Sequence, residues 1–157
     1  MKRYVYVLWL AVSLLGVMSC SKNSDPDPVI VGTWKLDRIR TAGFVGVYAT
    51  AGYNADNDPL AVFNYQDNFT VKNDKSFTGT ARSSGTVFDY SGNWEFTNNT
   101  LTLKDTQGNT DTYTVDETKT PIQLLGVAVA RRDSLTNPST KKAEVVSYTI
   151  QDIYVKQ

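Results

Sequence analysis

From Trp34 onward the chain alternates apolar and polar side chains with a period of two, and Asn, Asp and Gly break the pattern at short intervals. Successive side chains of a strand point to opposite faces, so this pattern demands half-buried strands joined by tight turns. Phe69 and Val71 share one face ahead of an Asn73-Asp74-Lys75-Ser76 turn, Phe77 stands on the next strand, and Ser83-Ser84-Gly85 turns the chain again. Phe88 alternates with Tyr90 and Trp94 with Phe96. Asn98-Asn99 then reverses the chain, Leu101 and Leu103 alternate, Thr106-Gln107-Gly108-Asn109 reverses it once more, and Tyr113 is in phase with Val115. Each step predicts an antiparallel hairpin.

Strands are expected near 33–40, 61–72, 76–82, 86–97, 100–105, 110–116, 121–131 and 143–155. These successive antiparallel strands can close into an up-and-down barrel, which removes exposed edges that invite aggregation. The predicted fold is therefore all-β, an antiparallel up-and-down β-barrel of about eight strands. The segment from Ile122 to Ala130 also has the length and apolar character of a short helix packed on the barrel; the expectation is a strand.

The first residues follow different rules. Lys2 and Arg3 precede an uncharged, mostly apolar run from Tyr4 to Met18. It falls short of the roughly 20 residues a membrane-crossing helix needs, so it reads as a secretory signal. The run ends Leu14-Leu15-Gly16-Val17-Met18-Ser19-Cys20, and Cys20 is the only cysteine, so no intramolecular disulfide can form. This ending resembles the lipobox of bacterial lipoprotein precursors. The resemblance implies removal of residues 1–19, acylation of Cys20, and attachment to a lipid bilayer through that residue. One acyl chain anchors only marginally, and the multiply acylated cysteine of such proteins supplies more. Residues 20–30, beginning Cys20-Ser21-Lys22-Asn23-Ser24-Asp25-Pro26-Asp27-Pro28, have the small, polar, proline-bearing composition of a solvated tether to a domain at 31–157. Ser21 after the cysteine implies, by the same resemblance, a place in the cell envelope at the outer membrane.

With residues 1–19 removed from the 157, 138 remain, enough for one domain with one core. The mature chain keeps 14 basic side chains against 16 acidic ones, which gives no basic stripe for a nucleic acid. Histidine is absent and the one thiol is committed to lipid, so the usual proton shuttles, thiol nucleophiles and zinc ligands are missing. A glycosidase-like enzyme needs only two carboxylates at a fixed gap, but no convincing pair stands out. The chain is expected not to be an enzyme, and to need no cofactor or metal.

Gly32-Thr33-Trp34-Lys35-Leu36 opens the first predicted strand, followed by Phe69-Thr70-Val71, Phe77-Thr78-Gly79-Thr80, Tyr90-Ser91-Gly92-Asn93-Trp94-Glu95-Phe96 and Leu101-Thr102-Leu103. In this order the segments resemble the lipocalin-like domains of bacterial lipoproteins, in the wider calycin group. The likeness covers most of 31–115. It implies that Gly32 and Trp34 form the structural Gly-x-Trp motif, with the Trp closing one barrel end beneath an Arg from a late strand. Here the last strand departs from that pattern and offers Lys156, while Arg131 and Arg132 lie one strand earlier.

An eight-stranded barrel is about wide enough to be filled by side chains or to hold one small ligand. The longest connection, Thr41 to Pro59, carries Phe44, Tyr48 and Tyr53, and long loops are usually functional or disordered. By the lipocalin resemblance it stands where a lid crosses the open mouth. Phe44, Tyr48 and Tyr53, with Phe69, Phe77 and Tyr90 from the barrel strands, are the expected contacts for an apolar ligand; Phe88, Trp94 and Phe96 would join the barrel aromatics in a wholly filled interior. Asn54-Ala55-Asp56-Asn57-Asp58 opens like a calcium loop, but Pro59 replaces the glycine of its turn and Tyr65 its bidentate Glu, which excludes an EF-hand. Asp133-Ser134-Leu135 resembles an O-glycosylation acceptor of some bacterial envelopes. The leading expectation is a membrane-anchored lipoprotein that binds a small hydrophobic or amphipathic molecule. The alternative is a protein-docking module of a cell-envelope complex with a filled core.

Overall fold

The computed structural model describes residues 28–157, so the expected signal and Cys20 lie outside the described residues. The chain forms β1 (Gly32–Ala42), α1 (Gly46–Thr50), β2 (Ala55–Asn57), α2 (Pro59–Phe63), β3 (Tyr65–Val71), β4 (Ser76–Ser83), β5 (Thr86–Thr97), β6 (Thr100–Asp105), β7 (Thr110–Asp116), β8 (Gln123–Gly126), β9 (Val129–Thr136) and β10 (Ala143–Lys156). Strands β1, β3, β4, β5, β6, β7, β8 and β10 follow one another round a closed antiparallel barrel, and β10 returns to pair with β1. The predicted barrel is thus the observed one.

The hairpins follow from turn chemistry. Ser84 and Gly85 both take positive φ, as do Asn98 and Asn99, which is the backbone a two-residue turn needs to match strand twist. Asp105 holds the β6–β7 turn by accepting hydrogen bonds from the backbone N–H groups of Gln107 and Asn109.

The expected strand at 61–72 begins later. Leu60-Ala61-Val62-Phe63 looks extended by composition, but Asp58 accepts hydrogen bonds from the N–H groups of Leu60 and Ala61, and Pro59 occupies the first turn. That cap and a left-handed Asn64 make residues 59–63 the single helical turn α2. The segment at 122–130 is extended, as expected, and continues beyond 131. It divides into β8 and β9, which pair in turn with the two halves of β10. Likewise β3 and β2 share one edge of β1, so β1 and β10 run past the barrel into a flanked arm.

The closed end is built around Trp34. Its ring is fully buried and its Nε1 donates to the Ile30 carbonyl at 2.8 Å, drawing Val29 and Ile30 into the packed body ahead of residue 31. Lys156 supplies the cation of the motif: its Nζ lies 5.9 Å from the Trp34 ring centre and donates to the Val29 carbonyl at 2.7 Å. Gly32 is favoured by its φ of +134°; a Cβ there would also come 2.9 Å from Lys156 Cε, a contact the flexible lysine end can relieve. Arg131 and Arg132 lie on β9, in the arm.

Gly92 admits a close cross-strand contact. A Cβ on Gly92 would overlap the Lys104 carbonyl and approach Asp105 Cα to 2.8 Å, whereas Gly108 has open space around it and only a positive φ to satisfy. Gly92→Ala is expected to cost about 3 kcal/mol by overpacking, and Gly108→Ala about 1 kcal/mol of backbone strain. Urea midpoints of the two variants measure the difference; equal shifts would contradict this account of Gly92.

Candidate functional site

Alternation sorts the barrel interior into two halves. Toward the closed end the inward side chains are apolar and buried, with Trp34, Val71, Phe77, Trp94, Leu101, Val115 and Leu124 among them. Toward the other end, inward positions carry Tyr65 and Asp67 on β3, Ala81 on β4, Phe88 and Tyr90 on β5, Asp111 and Tyr113 on β7, and Asp152 and Tyr154 on β10. Phe88 faces inward by register yet is 52% exposed, Asp111 is exposed, and Tyr65, Tyr90 and Asp152 are half-buried. This end is open.

Its floor is a tyrosine–carboxylate network. Asp67 is buried at 7% exposure and accepts from Tyr90 Oη at 2.7 Å and Tyr154 Oη at 2.6 Å. The Tyr113 ring meets Tyr154 edge-on with centroids 5.4 Å apart, and Phe69 lies beneath both. Gly79 leaves room for Tyr90, because a Cβ there would overlap the Tyr90 ring. Burial without these bonds would be costly for a carboxylate. Even with them, desolvation pushes the Asp67 carboxyl above the usual range, while the two phenol bonds pull it back. Burial also raises Asp111 and Asp152, each further raised by neighbouring acids, with Arg131 acting the opposite way on Asp152. The phenols of Tyr65, Tyr90, Tyr113 and Tyr154 are pushed up by burial and by these carboxylates, so they remain donors.

The wall beside Asp67 is breached. The β1–β3 ladder stops at Lys35 and Asn68, and the register of β1 slips between Leu36 and Arg38. A cavity of about 460 Å³ opens there, bordered by Leu36, Asp37, Pro59, Tyr65 and Asp67.

The residues expected to hold a ligand fall into two places. Phe69 and Phe77 are wholly buried in the core, and the Tyr90 ring packs 6.0 Å from Phe77. Phe44, Tyr48 and Tyr53 come together on the arm, where Phe44 stacks on Tyr148 at 4.5 Å. Two hydrogen bonds between Asn54 and the Phe44 backbone, with Thr41 Oγ1 donating to the Tyr53 carbonyl, fold the loop back there. A second cavity of about 410 Å³ lies against this cluster, bordered also by Val62, Phe63 and Leu135. Oxygens of the calcium-like segment are otherwise engaged: Asp56 pairs with Arg40, and Asp58 caps α2. Ser134 is exposed on β9, paired with Val145.

Residues 30–121 match the family model described as a lipocalin-like domain. The chain belongs to this lipocalin-like family. No curated protein and no solved structure matches it. The matched region runs through β7; β8, the β9–β10 arm and the closing strand lie beyond it.

Sequence reading passed over the acids of this lipocalin-like barrel, although their phase announces them. Asp67 alternates with Phe69 and Val71, Asp111 with Tyr113 and Val115, and Asp152 with Tyr154. An acid in the apolar phase of a strand must face the interior.

Two outcomes follow from the network. Tyr154→Phe removes one charge-assisted bond to Asp67 and is expected to cost about 1.5–3 kcal/mol in chemical unfolding. Asp152 has a raised folded-state pKa, so the folded protein holds its proton more tightly than the unfolded chain does, and its ionisation destabilises the fold as pH rises. The Tm difference of Asp152→Asn minus wild type should therefore grow from pH 4 to pH 7; a constant difference would contradict the raised pKa.

Proposed function

We propose that this chain is a non-enzymatic lipoprotein of the cell envelope, anchored to the outer membrane through acylated Cys20, that takes a small hydrophobic or amphipathic molecule in the open end of its barrel. The observation that carries the binding reading is Phe88: an aromatic side chain in the same strand phase as the inward-facing Tyr90 and Trp94, on the part of β5 that runs past β6 at the open end, and 52% exposed. Tyr65 and Tyr90 stand half-buried beside it. Phe69, Phe77, Trp34 and Trp94 fill the lower half, so the ligand is small and seated high. Missing histidine and a deep carboxylate already engaged by two phenols favour binding over catalysis.

A second reading, a docking module for an envelope protein, draws on apolar side chains exposed along the arm and its loop, Val62, Phe63 and Val145. Full-length protein taken from its own membrane in mild detergent separates the two by native mass spectrometry. A stoichiometric small molecule supports the binding reading; an empty protein that takes up no apolar probe supports docking. Labelled palmitate is expected to enter the wild type and not Cys20→Ala, and label in both would overturn the anchor.

A further inference from the structure

Which ligand this barrel end prefers depends on charge, which the lipocalin-like fold does not dictate. Inward positions here combine aromatic rings, Tyr65, Phe88, Tyr90 and Tyr113, with three carboxylates, Asp67, Asp111 and Asp152. Among neighbouring basic side chains, Arg40 is locked to Asp56 at 2.7 Å and Arg82 is exposed, out of phase with Ala81, whereas Lys35 and Arg38 border the cavity in the wall beside Asp67, both exposed on β1 and Arg38 beside Asp37. Arg131 on β9 offsets the field at Asp152 but lies in the arm.

We propose that the preferred ligand is a small organic cation, an amine or quaternary ammonium group on a short apolar tail. This rests on the binding reading above. A cation over an aromatic face is attracted by the ring quadrupole, more strongly where water is displaced, and an ionised carboxylate has acceptor capacity beyond the two bonds Asp67 already takes. A bound carboxylate, such as a fatty acid head, would meet the like charge of Asp67, Asp111 and Asp152. Tail and rings account for the apolar part: Phe88 offers exposed ring surface and Tyr90 a half-buried ring. The acids are spread round the barrel wall, and among the described residues no group of three or more converges to hold a metal ion. Such a spread suits a bulky cation rather than a bare one.

Calorimetric titration of the full-length protein in nonionic detergent with hexyltrimethylammonium, hexanol and hexanoate tests this. The ammonium is expected to bind about tenfold or more tighter than hexanoate, and to lose about three- to tenfold in Asp152→Asn and in Asp111→Asn, while hexanol binding is unchanged in both. Hexanoate or hexanol binding as tightly as the ammonium would overturn the charge preference and leave the binding reading standing. Ammonium affinity unchanged in both variants would place the cation elsewhere and overturn the assignment. Failure of all three probes to bind would overturn the binding reading itself.

Discussion

Pairing of β1 with β10, from Trp34 opposite Lys156 to Ala42 opposite Thr149, turns a meander into a closed barrel. Without it, β1 and β10 would each present an open ladder edge, and the interior would lose its seal. It also joins the two ends of the folded chain, so Lys156 reaches Trp34 only through this contact. Burial of Trp34 brings Val29 and Ile30 with it, so the closed end is a small lattice in which Trp34 holds the Ile30 carbonyl and Lys156 the Val29 carbonyl.

Closure at one end leaves the other to differ. The register slip in β1 separates it from β3 above Lys35, and the strand pairs with β2 instead. The wall is thus weakest where Asp67 is buried. A carboxylate there is tolerable because Tyr90 and Tyr154 arrive from β5 and β10 to donate to it, and Tyr90 has room because β4 carries a glycine opposite. Three strands distant in sequence must cooperate for one side chain. The same arrangement keeps the upper interior polar and leaves aromatic faces wet, so the barrel has a packed foot and a hydrated mouth.

Much of this was legible beforehand. Alternation located the barrel strands, and Ser84-Gly85 and Asn98-Asn99 turn the chain where their chemistry demands. The helical turn at 59–63 was not, because an apolar run of that length fits either conformation and the Asp58 cap decides it. The loop aromatics were recognisable as a group, but only the arm formed by β9 and β10 gives them a surface, and Tyr148 is the ring they stack on.

The sequence by itself determined that the chain would be β, where it would turn, and that Trp34 and Lys156 stood on its first and last strands, since alternation and turn propensity are local. Tertiary structure alone decided that Asp67, Asp111 and Asp152 come near one another at one end of the barrel, and that Tyr90 and Tyr154 meet Asp67. Barrel stagger sets which inward residues of different strands stand at the same height, and no local pattern encodes that stagger.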